Sequence, residues 1–166
     1  MGEHILVDYA LRLLDEGKSA AEIAGAVEAV VDRVVVVGLL DTLEYLKRGG
    51  RISAAAGTVG ELLSIKPVIT IDNGEVAVLG KARGSKNGRN LLRQQVKAAG
   101  GIDFSMPVML GYSGLSDKLL RKYLDDCRSV WEDRIAEEDI PVLMVGATIG
   151  THVGPGAIAL AFFKSA

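Results

Sequence analysis

The sequence predicts an α/β protein: a mixed parallel and antiparallel sheet of about six strands with helices packed on it. Three observations carry this. Short apolar, β-branched runs of strand length recur along the chain. Segments with helical spacing separate most of them. One Asp-Asn-Gly turn sits between two such runs and forces an antiparallel hairpin, so a purely parallel, doubly wound sheet is excluded.

Taken in order, residues 4–16 place Ile5, Leu6, Tyr9 and Leu13 at helical spacing, and Gly17 is the natural terminator. Ser19-Ala20-Ala21-Glu22 reads as a capping box opening a second helix to about Arg33. The two form a helical hairpin over 1–33, and the remaining 34–166 form the α/β core. Val34-Val35-Val36-Val37 reads as a central strand. Asp41 and Glu44 open a short helix, with Asp41 as its cap, that stops at Gly49-Gly50. Ser53 starts another, alanine-rich helix to about residue 63. Residues 66–71, Asp72-Asn73-Gly74 and 75–79 form the hairpin. A helix over about 87–99 closes at Gly100-Gly101, and 107–112 is the next strand. Ser113 or Ser116 caps a long amphipathic helix through about Trp131. Two final apolar runs, 141–146 and 157–163, are expected as antiparallel strands flanking a glycine-rich loop.

With 166 residues the chain is expected to be one domain able to bury a core. It is 49% hydrophobic and 24% charged with net charge −2, which gives no global pull toward nucleic acid or an anionic membrane. Aromatics are 5%, too few for a base-stacking platform. One cysteine, Cys127, permits no internal disulfide and fits a reducing, cytoplasmic setting. No signal peptide, no membrane span and no metal-ligand spacing are seen, and no cofactor is expected.

Four segments carry candidate chemistry, each with two readings. Gly150-Thr151-His152-Val153-Gly154-Pro155-Gly156-Ala157 reads either as an anion or carboxylate clasp, with backbone N–H groups and His152 as donors, or as a tight hairpin that happens to hold a His. Arg51 follows Gly49-Gly50; its guanidinium would fork an anion or a partner's carboxylate, or simply offset the negative end of the helix. Lys81-Ala82-Arg83-Gly84-Ser85-Lys86-Asn87-Gly88-Arg89 is a basic run without an acid: a docking surface or phosphate site, or a solvated face. It lacks the G-x-x-x-x-G-K-[ST] pattern of an ATPase loop. Ser113 and Ser116 read as ligand contacts or, more simply, as helix caps.

Four stretches together, namely 41–53 (D-T-L-E-Y-L-K-R-G-G-R-I-S), Ile65-Lys66-Pro67, Lys81 to Lys86 and Gly150 to Ala157, resemble the signature of the DegV family, the bacterial fatty-acid-binding proteins, in order and spacing. The resemblance implies a carrier, not an enzyme. Such proteins hold a long-chain fatty acid in a tunnel between two α/β domains and present its carboxyl group to a partner fatty acid kinase. It implies that His152, with Thr151 and Gly154, holds the carboxylate. It places Arg83 by the mouth of the pocket, where it serves the carboxyl end or the docking of the kinase, with Arg51, Lys81 and Lys86 on the rim or at the docking surface. It covers nearly the whole chain but only the second half of a usual member. The N-terminal domain is therefore expected to be absent, which leaves three readings: a truncated piece of a longer chain, a protein split into two subunits, or a dimer in which a second copy covers the exposed face. The alternative is a non-catalytic interaction or dimerisation module that binds no lipid alone. A related fold also occurs in the substrate subunit of dihydroxyacetone kinases, but the residues around His152 match the carriers.

Overall fold

The computed structural model describes residues 1–52, 65–131 and 133–165. The helix expected over 53–63 lies outside them. The chain opens with α1 (Gly2–Asp15) and α2 (Ala20–Val30). Gly17 terminates α1 with φ +80, a left-handed conformation that glycine adopts without strain. Ser19 and Glu22 cap α2 reciprocally, as the sequence predicts.

Six strands follow: β1 (Val34–Leu39), β2 (Ile65–Asp72), β3 (Glu75–Arg83), β4 (Met109–Tyr112), β5 (Val142–Met144) and β6 (Ile158–Phe163). Between them lie α3 (Glu44–Arg48), α4 (Ser85–Ala98), α5 (Lys118–Asp126), α6 (Arg128–Trp131) and α7 (Ala147–Val153). The strands form one sheet in the order β3-β2-β1-β6-β4-β5. Only β4 and β5 pair in parallel; the other neighbours are antiparallel. The mixed sheet is therefore as expected.

Four local expectations are corrected. The last two strands are not neighbours: β6 lies between β1 and β4, while β5 sits on the edge. The apolar run of β6 explains this, since Leu160, Ala161, Phe162 and Phe163 are all fully buried, whereas Val142 and Met144 of β5 are exposed. The glycine-rich link between them is not a hairpin: its first half ends the helix α7, and residues 154–157 form the turn into β6. Asp41 does not cap α3; it pairs with Lys66, and the Thr42 hydroxyl accepts from the Glu44 N–H at 3.2 Å. The long helix before residue 131 is broken at Cys127 into α5 and α6, and its start is served by Ser116, not Ser113.

Alternation along each strand divides the sheet's two faces. On one, Val37, Leu39, Val68, Leu110, Leu160 and Phe162 pack against Leu92 and Val96 of α4, Leu120, Tyr123 and Leu124 of α5, and Trp131. Arg89 joins the covering helices by donating to Asp126 at 2.7 Å. Burial pushes the Cys127 thiol in this core up to about 11, and the Tyr123 phenol well above its ordinary range. On the other face, Ile5 of α1 covers Met109, Ala161 and Phe163. That cover stops short of the sheet end from which α3 and α7 rise.

Candidate functional site

The uncovered part of the second face is a groove, and the strand register explains it. One row runs across five strands: Ile69 pairs with Gly38, Gly38 with Ala159, Ala159 with Gly111, and Gly111 with Leu143. Its three central positions carry a methyl group or nothing, so the sheet has no side chains there to fill the space. Glycine inside a strand often marks a close approach by a ligand or another chain. Over the row lies a cavity of about 300 Å³, walled by Val36, Ile71, Val145, Ile149 and Val153, with Met1 and Gly2 at the start of α1. The Met1 side chain rests on Gly111. The lining is almost wholly apolar, and its one hydroxyl, Thr70, already donates to the Val36 carbonyl at 2.9 Å. Such a surface takes an alkyl chain, not a polar substrate.

At the groove's end, α7 packs against α3, bringing together two segments a hundred residues apart in sequence. They interlock through two rings and two glycines. The His152 imidazole lies against Gly49, and the Tyr45 ring lies against Gly154. A Cβ at either glycine would collide with the ring above it: 2.8 Å to His152 Cε1 in one case, 2.6 Å to Tyr45 Cε2 in the other. Among the described residues, the buried His152 Nδ1 has no hydrogen-bond partner.

Ser113, at the end of β4, ties this corner to the sheet. Its hydroxyl donates to the Gly154 carbonyl and accepts from the Ala157 N–H at 3.0 Å. Its own N–H donates to the Ala157 carbonyl at 2.9 Å, and its carbonyl accepts from the Gly156 N–H at 2.9 Å. Four hydrogen bonds from one buried residue thus hold 154–157. The sequence reading took Ser113 for a cap or a ligand contact. Its position directly after a strand was the visible signal, but the partners lie more than forty residues away. Tyr45, Gly111 and Ala159 were also missed as site residues. Glycine and alanine amid bulky strand residues were the signal for the last two.

The other expected residues distribute as follows. Thr151 is exposed on α7, and its hydroxyl donates to the Thr148 carbonyl at 3.0 Å. The Gly154 N–H donates to the Gly150 carbonyl at 2.8 Å. Arg51 donates to the Gly49 carbonyl at 3.2 Å, at the negative end of α3. Lys81 and Arg83 are exposed near the end of the edge strand β3, opposite Pro67 and Ile65, and Lys86 is exposed in the first turn of α4. These lie toward the same end of the sheet as α3 and α7, but at its β3 edge. No hydrogen bond joins them to His152 among the described residues. Arg89 leaves the basic run for the interior. Among the described residues, no group of three or more His, Cys, Asp or Glu side chains is placed to hold a metal, and no helix is long and apolar enough to cross a membrane.

Comparison with known proteins adds the following. Residues 1–165 match the model of a family described as "Uncharacterised protein, DegV family". A DegV domain-containing protein of Caldanaerobacter subterraneus is 31% identical over 162 residues, covering 98% of this chain and 56% of the relative. One from Clostridium perfringens is 32% identical over 160 residues, covering 96% and 55%. The chain thus spans about half the length of the curated relatives it matches. Among solved structures, a fatty-acid-binding DegV family protein of Thermus thermophilus superposes with a TM-score of 0.78 at 28% identity, covering 99% of this chain and 57% of that one. The Streptococcus pneumoniae fatty acid kinase B3 protein, solved with linoleic acid, superposes at 0.85 with 22% identity, covering 99% and 56%; at that identity the likeness speaks for the fold.

Proposed function

The chain belongs to the DegV family, and from that premise we propose that it binds a long-chain fatty acid as a carrier and presents the carboxyl group to a fatty acid kinase. The observation that carries this is the apolar groove floored by Gly38 and Ala159. Each methylene moved from water onto such a surface contributes about 0.8 kcal/mol. The acyl chain lies over the row, and the carboxylate reaches the α3–α7 corner. There the His152 Nε2–H donates to it. Thr151 supplies a second donor once its hydroxyl turns from Thr148, and Gly154 shapes the corner by admitting Tyr45. Lys81, Arg83 and Lys86, with Arg51, form the cationic rim on which a kinase docks. The carrier supplies no phosphoryl-transfer group of its own, and we place it in the cytoplasm.

The groove is open, with Ile71 49%, Ile149 56% and Met144 61% exposed along or beside it. These residues favour a covering unit, either a separate N-terminal subunit or a second copy, that excludes water from the bound chain. They also support a second reading, in which this face is only an interface. Native mass spectrometry of the purified chain after incubation with oleate separates the two. A one-to-one oleate adduct is expected. A folded chain that dimerises and takes up no oleate at saturation favours the interface reading. Formation of acyl phosphate from the loaded chain, ATP and a fatty acid kinase tests the presentation step.

A further inference from the structure

We propose that Gly49 is a positioning residue for His152: its missing side chain is the seat that aims the imidazole into the site. The proposal rests on His152 being the ligand donor. At a helix end a glycine is normally read as a turn residue, and Gly50 is one, with φ +66 and open space around it. Gly49 is not. Its φ of −77 and ψ of −1 are those of an ordinary helical residue, which any side chain tolerates. What excludes a side chain is His152, whose Nδ1 and Cε1 fill the volume a Cβ would need; the next nearest atom is the Tyr45 carbonyl oxygen at 3.1 Å. Shape holds the ring, and among the described residues Nδ1 has no hydrogen-bond partner. The opposite seat, Tyr45 on Gly154, keeps α7 from sliding along α3, so the ring has one place to go.

A methyl group at Gly49 displaces the flexible imidazole, not the backbone. The fold survives and the donor is lost. The test compares Gly49→Ala, His152→Ala and the double variant by oleate affinity, thermal midpoint and the ¹⁵N resonances of the His152 ring. Gly49→Ala is expected to weaken oleate binding by roughly ten- to a hundredfold, as loss of a hydrogen bond to a charged group does. It is expected to shift the ring resonances and to leave the midpoint nearly unchanged. In the His152→Ala background it should cost no further affinity. Equal losses in both backgrounds would show that the glycine serves the turn, and unmoved ring resonances with unchanged affinity would show that it serves neither; each overturns the proposal. If the unmodified chain binds no oleate, the carrier reading fails, and the ring resonances of Gly49→Ala alone decide whether Gly49 seats His152.

Discussion

Two adjacent rows of the same sheet behave in opposite ways. Val37, Leu160 and Leu110 are register partners facing α4 and α5, and all three are fully buried in a filled core. One residue along each strand, Gly38, Ala159 and Gly111 face the other way; Met1 covers Gly111, and Gly38 and Ala159 floor a groove. Backbone, register and hydrogen bonding are shared. Only side-chain volume differs, and it turns one row into structure and the other into a site.

The largest expected effect comes from emptying the full row. Leu160→Ala should cost about 2–5 kcal/mol by chemical denaturation, because the covering helices cannot collapse into the space left. Filling the empty row should do the reverse. Ala159→Leu is expected to reduce oleate binding more than tenfold while costing stability much less than Leu160→Ala. A comparable loss of stability in both variants would mean that the groove is ordinary core, and the contrast between the rows would fall.

The faces should also separate by pH. Burial raises the Cys127 thiol to about 11, so the fold favours its neutral form. That stabilisation is fully present below the unfolded thiol's pKa near 9 and is lost as pH rises toward 11. Cys127→Val should flatten this alkaline decline. An alkaline limb unchanged in Cys127→Val would assign it to other groups. The smallest effect is expected at the exposed Arg48–Glu44 pair on α3, where Arg48→Ala should change stability by less than about 0.5 kcal/mol.

Much of this was legible in the residues themselves. The hairpin followed from Asp72-Asn73-Gly74, where Asn73 and Gly74 take positive φ as a tight antiparallel turn requires. The Ser19–Glu22 box was read as it stands. Both are local: every group involved lies within a few residues. α7 was not legible, because Ala147-Thr148-Ile149-Gly150-Thr151-His152-Val153 mixes β-branched residues with glycine and has weak intrinsic helix preference. It is held as a helix by its seat on α3 and by the Ser113 clamp that follows it.

The sequence by itself determined the six described strands, the helices α1 to α4 and the segments that carry charge or glycine, because propensity, capping and periodicity act over neighbouring residues. Only the tertiary structure decided that β6 enters the middle of the sheet, that Gly38 and Ala159 line up beneath one groove, and that Gly49 faces His152. Those depend on which distant surfaces bury one another, and no local pattern along the chain encodes that choice.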